Sequence, residues 1–304
     1  MKILVTTHDV SGRISPSNFM YLLEELAKIS DLTVWYEPGN IQEIINHLGI
    51  QPDFILINEF GEKKPPKITG LASLTVPYAV YLHDLHYKTD LRNEAMKSNK
   101  VPYVFTHYRD KFFEWYPEFR EKMRWLPHHA NTNIFRDYGL NKDIDYLLMG
   151  SLGDRAYPLR KKIIDVMQKQ AGFVYHVYPG HNNPESLYVG EKFAREINRA
   201  KIFFTCDSIF HYPVRKYFEV LACKTLLLAP AVPELKDLGF VAGVHFVDIN
   251  EDNFTEEAEY YLYHEKERQL IEEQGYELVH AQHSTVQRAA QLLGMIKEIL
   301  SSPE

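Results

Sequence analysis

Short apolar, β-prone runs recur through this chain at fairly regular spacing, and longer amphipathic stretches separate several of them. In the first half the runs are Ile3 to Thr7, Leu32 to Tyr36, Phe54 to Asn58, Tyr78 to Leu82, Tyr103 to Thr106 and Arg124 to Leu126. Ser17 to Ile29 and Ile41 to Leu48 show helical periodicity between them, with Ser17 as a cap for the first. Strands that alternate with helices predict a parallel sheet covered on both faces. The polar segment Asn131 to Asp145 breaks the pattern and is the expected linker. The alternation then resumes with Tyr146 to Met149, Phe173 to Tyr178, Ile202 to Thr205, Leu226 to Leu228 and His245 to Asp248. The expected architecture is therefore α/β, two similar halves joined by one linker, with a cleft between them. The boundaries fall at 1–138, 139–284 and a C-terminal helical segment, 285–304. Ligands of such sheets bind outside the carboxyl ends of the strands.

Composition removes several function classes. At 304 residues, with 45% hydrophobic and 25% charged residues, the chain is globular. A net charge of -7 argues against a general nucleic-acid binder, which would carry a basic face. The two cysteines, Cys206 and Cys223, sit in apolar contexts and read as buried hydrophobes of a reducing compartment. Fourteen histidines occur, but no HExxH or similar spacing, so no metal site is expected. MKILVTTHDV begins a strand at once and lacks the long apolar core of a signal peptide. No run approaches the length of a membrane span. A cytoplasmic location is the expectation, with peripheral membrane contact left open.

The stretch Lys201 to Pro230 carries the strongest site signal. It predicts a buried strand, a polar loop, a helix starting near Pro213, and a second buried strand. Val214, Phe218 and Leu221 would face inward, with Arg215, Lys216 and Glu219 on or beside the first turns. Cations beside a helix N-terminus suit phosphates. A carboxylate one turn further in suits a ribose diol. Together they suggest a pocket for a nucleoside diphosphate.

Four further motifs follow strands. GSLGDRAYPLRKK, Gly150 to Lys162, places Gly150, Ser151 and Gly153 in a loop that a backbone can bring close to a ligand, with Arg155, Arg160 and Lys161 in reach of a phosphate. It is neither GxxxxGK[ST] nor GxGxxG. YPGHNN offers Tyr178 and Gly180 in a loop suited to a nucleobase. YLHDLHY brings His83, Asp84 and His86 together at a strand end, where His83 or Asp84 would hold a sugar or acceptor hydroxyl. WLPHHANTNIF places His128 and His129 either along the cleft or in the packing.

In this order, WLPHHANTNIF, GSLGDR, YPGH, RKYFEVLACKTLLLAP and the tail GYELVHAQHSTVQRAAQLLGMI resemble retaining-type glycosyltransferases with two Rossmann-like domains, the GT-B fold. The match is closest to the CgeB-like, spore-maturation-type branch of the family 1 and family 4-like transferases. It is most specific in RKYFEVLACKT and HSTVQRAAQLL and looser in the first half. The resemblance implies a donor-binding set in the second domain. Glu219 matches the second glutamate of the family's E-x7-E motif, which binds the donor ribose. Tyr212, Val214 and Arg215, beside Lys216, match the diphosphate loop. Gly150 to Asp154 matches the first donor-domain loop, and Tyr178 to Gly180 the loop beside the base. His83 resembles the histidine of the acceptor domain, and the helix Thr285 to Leu300 would cross back to the first domain. The implied reaction is sugar transfer from a nucleotide-diphospho-sugar, a UDP-sugar foremost, to a hydroxyl of a polysaccharide, glycolipid or protein. It would retain configuration and use neither metal nor other cofactor. Two positions depart from the pattern. His211 stands where the first glutamate belongs, which leaves a catalytically degenerate binding or assembly module, or a nucleotide-sugar epimerase, as alternatives. Lys224 replaces the usual glycine after the helix. A left-handed cap there costs a lysine about 1 kcal/mol, so the turn is expected to differ.

Overall fold

The computed structural model describes residues 1–9, 18–60, 65–151, 155–177 and 188–301. The chain divides into two units. One holds Met1–Gly12, Phe19–Pro127 and Val286–Glu304; the other holds Arg13–Asn18 and His128–Thr285. The division thus falls before the polar Asn131–Asp145 stretch. That stretch lies inside the second unit.

The first unit contains strands β1 (Lys2–Thr6), β2 (Asp31–Trp35), β3 (Gly39–Asn40), β4 (Phe54–Asn58), β5 (Ile68–Thr69), β6 (Tyr78–Leu82), β7 (Tyr103–Thr106) and β8 (Met123–Trp125). β3 pairs with β5 in a separate two-stranded sheet. The others form one parallel sheet in the order β2-β1-β4-β6-β7-β8. β4 (FILIN) and β6 (YAVYL) are buried along their whole length, as strands covered on both faces must be. Asn40 starts the helix Ile41–Leu48 by accepting the Gln42 N–H at 3.0 Å, and Gly49 ends it at φ 61°. The final helix, Thr285–Ser301, completes this unit's core. Its Ala289, Leu292, Leu293, Ile296 and Ile299 pack with Ile3, Val5, Leu22 and Phe54.

The second unit repeats the plan with β9 (Ile144–Gly150), β10 (Phe173–Val177), β11 (Ala200–Phe204), β12 (Leu226–Ala229) and β13 (Val247–Asp248). All are parallel, in the order β10-β9-β11-β12-β13. One core face contains Leu147, Phe203, Tyr217, Phe218 and Leu227. The other contains Tyr146, Leu148, Ile202, Phe204 and Leu228. In both units the strand order reverses direction beside the first strand, which is where such sheets bind ligands.

Gly275 shows how tightly the helix Glu265–Gln282 lies on this unit. A Cβ there would sit 2.6 Å from the His245 carbonyl oxygen and 2.9 Å from Leu221 Cδ2. Gly275→Ala should therefore lower stability by about 1–3 kcal/mol, the usual cost of overpacking. Denaturant midpoints would show the loss, and an unchanged midpoint would refute the close approach.

Candidate functional site

In the second unit the chemistry gathers where β9 ends. Gly150 has φ 151°, and a Cβ built on it would lie 3.0 Å from Arg160 Nη1 and 3.6 Å from Lys216 Cε. Both cations therefore reach over this one glycine, which a larger residue would close off. Arg160 comes from the first turn of the helix Pro158–Met167 and is buried. Its Nη1 donates to the Ser151 carbonyl at 2.6 Å, and its guanidinium lies 4.1 Å from the Tyr157 ring centroid. Its buried Nε has no hydrogen-bond partner among the described residues. Lys216 is half-buried with Nζ 5.0 Å from the Phe193 ring centroid. Burial, reinforced by the charges of Arg160 and Arg215, pulls its ammonium down to about 8 against the opposing pull of Glu219.

The helix itself is Lys216–Ala222, seven residues, and starts three residues later than the expected position at Pro213. Tyr212 N–H donates to the Asp207 carbonyl and Val214 N–H to the Tyr212 carbonyl, so Tyr212–Val214 belongs to a turn. Lys216 is consequently the first helical residue, and the cations rather than the helix end supply the positive field. Glu219 is buried on this helix, 3.7 Å from Arg215 Nε. His211 is exposed at φ 55°, and its Nδ1 contacts Asp207 Oδ2 at 2.7 Å. Burial raises the Asp207 carboxyl while this histidine opposes the rise. Asp207 has no counterpart in the sequence expectations; only its place four residues before His211 could have signalled it. Arg155 and Ser151 are exposed, and Lys161 points away on the solvent side of its helix. Gly153, Tyr178 and Gly180 lie outside the described residues. Lys224 adopts the left-handed cap after all, at φ 56°, with Nζ 2.6 Å from Glu273. His128 and His129 are buried in the second unit. His129 Nδ1 is 2.9 Å from Thr285 Oγ1, and the His128 ring packs 6.3 Å from Phe218, which places both in the packing.

In the first unit a separate polar cluster sits at the carboxyl ends of β1, β4, β6 and β7. The register pairs Leu82 with Thr106, so the residues that follow them, His83 and His107, meet. His83 Nδ1 lies 3.2 Å from His107 Nε2, and His83 Nε2 lies 2.6 Å from Asn58 Oδ1. Both His83 nitrogens are therefore engaged, a constraint not visible in the sequence. Asn58 Nδ2 donates to Thr7 Oγ1 at 2.7 Å, and His107 Nδ1 is 3.0 Å from the Leu126 carbonyl. Burial drives the His83 imidazole down to about 4. Glu59, at φ 69°, accepts the His83 backbone N–H at 2.6 Å and holds Arg92 Nη2 at 2.5 Å. Burial pushes its carboxyl up to about 7 despite Arg92. Arg92 Nη1 also donates to the Asp84 carbonyl, while Asp84 itself is exposed. His86 is exposed two residues on.

Residues 160–294 match the family model described as glycosyl transferase-like. No curated protein sequence matches the chain. Solved structures do. HepE of Anabaena, in complex with UDP and glucose, superposes with a TM-score of 0.63 at 11% identity, over 98% of this chain and 100% of that one. A glycosyltransferase from Rickettsia africae gives 0.60 at 13% identity over 99% of each chain. Sucrose-phosphate synthase from Thermosynechococcus elongatus gives 0.63 at 12% identity, again over 99% of each. Residues 160–294 are thus similar to a glycosyl transferase-like domain, and the chain has the α/β GT-B fold in common with these proteins.

Proposed function

We propose that this chain is a glycosyltransferase of the CgeB-like branch. It moves a hexose from a UDP-sugar to a hydroxyl of a polysaccharide, glycolipid or protein in the cytoplasm, with retention of configuration and without a metal. The observation that carries the reading is the convergence of Arg160 and Lys216 on Gly150 at the end of β9. Transfer breaks the bond between the sugar's anomeric carbon and the β-phosphate oxygen and forms a new one to the acceptor oxygen. The acceptor proton leaves, and charge develops on the nucleoside diphosphate. Two fixed cations beside a backbone without a Cβ are suited to that charge, and preorganised charge is the strongest lever an enzyme has. HepE, of the same fold, was solved with UDP-glucose, which favours uridine as the base. Glu219 would bind the ribose and Arg215 the outer phosphate. His211, oriented by Asp207, would face the transferred sugar. His83 and Asp84 in the first unit would orient the acceptor.

The test is a thermal-shift and calorimetry screen of UDP, GDP, ADP and dTDP, with Glu219→Ala alongside. UDP should stabilise the wild type and the variant should lose most of that gain. A protein indifferent to all four diphosphates would sink the transferase reading.

A further inference from the structure

A nucleoside diphosphate is an anion at one end and a flat ring at the other, and the cations over Gly150 take up the anion alone. The ring has to lie toward one of the two strands that flank β9, which are β10 and β11. The loop after β11 presents His211, paired with Asp207, and this is the side given to the transferred sugar. The base hangs from the other end of the diphosphate, so its place falls on the β10 side. There the register sets Val177, the last residue of β10, beside Gly150.

That end of β10 has an aromatic face held in place from below. His176, next to Val177, is fixed by Glu196, whose Oε1 lies 2.8 Å from His176 Nε2. Glu196 is buried, and its other oxygen accepts from Arg199 Nη1 at 2.9 Å. The ring of Tyr188 lies on that of His176, with centroids 4.2 Å apart and planes 37° apart. A single exposed tyrosine is ordinary on any surface. This one rests on a locked histidine and still leaves 37% of its surface open, and Val177 is 58% exposed. A ring already held loses little freedom when a ligand stacks on it, so the cost of binding there is small. Tyr188 also stands just before the helix Gly190–Asn198, whose Phe193 ring centroid lies 5.0 Å from Lys216 Nζ. One short helix therefore touches the diphosphate cation and carries the tyrosine at its start.

We propose that Tyr188, seated on His176, is the platform for the nucleobase: the base stacks on the open part of the Tyr188 ring while the diphosphate lies at Arg160 and Lys216. His176 is a positioning residue that keeps the ring in place. Every base has a π-face, so a stacking platform gives affinity without choosing among bases. The choice of uracil then falls to groups that meet the edge of the base. The placement of the diphosphate rests on the reading under Proposed function.

The experiment measures UDP binding to the intact protein by calorimetry and the uracil H5 and H6 resonances of UDP bound at saturation. It compares the wild type with Tyr188→Phe and Tyr188→Ala. Stacking places the uracil protons in the Tyr188 ring current, so they should move upfield in the wild type and in Tyr188→Phe, and not in Tyr188→Ala. The Kd for UDP should rise about 5- to 150-fold in Tyr188→Ala, the loss of one base–aromatic stack, and hardly change in Tyr188→Phe. Uracil protons that stay unshifted in the wild type overturn the platform without any variant. So does a Tyr188→Ala protein that binds UDP as tightly as the wild type, and so does a Tyr188→Phe protein as weak as Tyr188→Ala, which would assign the loss to the hydroxyl. Each of these leaves the transferase reading standing. A wild type that binds no UDP overturns both.

Discussion

Lys216→Met is expected to lower kcat/KM for sugar transfer by about 10²–10³-fold, the cost of removing one preorganised charge from a developing oxyanion. The size follows from what remains. Arg160 holds part of its charge against the Ser151 carbonyl, and Arg215 lies beside Glu219, so neither can take over the place of Lys216 above Gly150. The same residue predicts a pH limb. Its folded pKa lies near 8, below the ordinary 10.5, so the ammonium is charged below about 8 and discharges as pH rises through it. UDP binding should weaken across that window in the free protein. Lys216→Arg keeps its charge there and should flatten the limb. A Lys216→Met variant that loses less than about tenfold would remove this residue from the diphosphate site.

Glu59→Ala is expected to cost about 3–5 kcal/mol, as breaking a buried ion pair does, because it strands the Arg92 guanidinium. Arg92 is 6% exposed and Glu59 15% at their side chains, so little water reaches either. The loop after β6 should loosen as well, since the Glu59 carboxylate accepts the His83 N–H and Arg92 donates to the Asp84 carbonyl. Glu59 also predicts a pH slope. Its carboxyl rises from 4.5 to about 7 on folding, so the folded state binds this proton more tightly than the unfolded state. The contribution is fully present below 4.5 and lost as pH rises to about 7. Denaturation of the wild type against Glu59→Gln between those values should show the slope in the wild type alone. Identical slopes would mean that the carboxylate is already ionised throughout.

Much of the fold was legible because burial on both sheet faces leaves continuous apolar runs. Tyr78 to Leu82 and Tyr103 to Thr106 coincide with β6 and β7, and β1, β2, β4 and β8 lie within one residue of the expected positions. His83 could be singled out because it closes such a run. Its partner His107 could not: His83 and His107 are neighbours through the β6–β7 register, and no local pattern encodes which strands pair. Arg160 was visible as a cation near a glycine, but its aim over Gly150 depends on how its helix packs. The misplaced start at Pro213 has a similar cause. Proline fixes its own φ and suits a first turn, yet the Asp207–Tyr212 backbone contact captures the chain in a turn first. The unit division at Pro127 also escaped composition, since the polar stretch after it is loop within the second unit rather than a link between units.

The last helix gives this molecule a timetable. The first unit's core includes Leu292, Ile296 and Ile299, which a ribosome makes only after the whole second unit. At ordinary synthesis speeds the nascent first unit waits on the order of ten seconds with one wall of its interior missing. It cannot be finished in the order in which it is written. The second unit, made up of His128–Thr285 and the early segment Arg13–Asn18, has all its residues once Thr285 is made, while the first unit is still open. A newborn chain of this design has a vulnerable stage that a mature one lacks, and a nonsense codon near the 3′ end of its message would expose the oldest part of the protein rather than the newest.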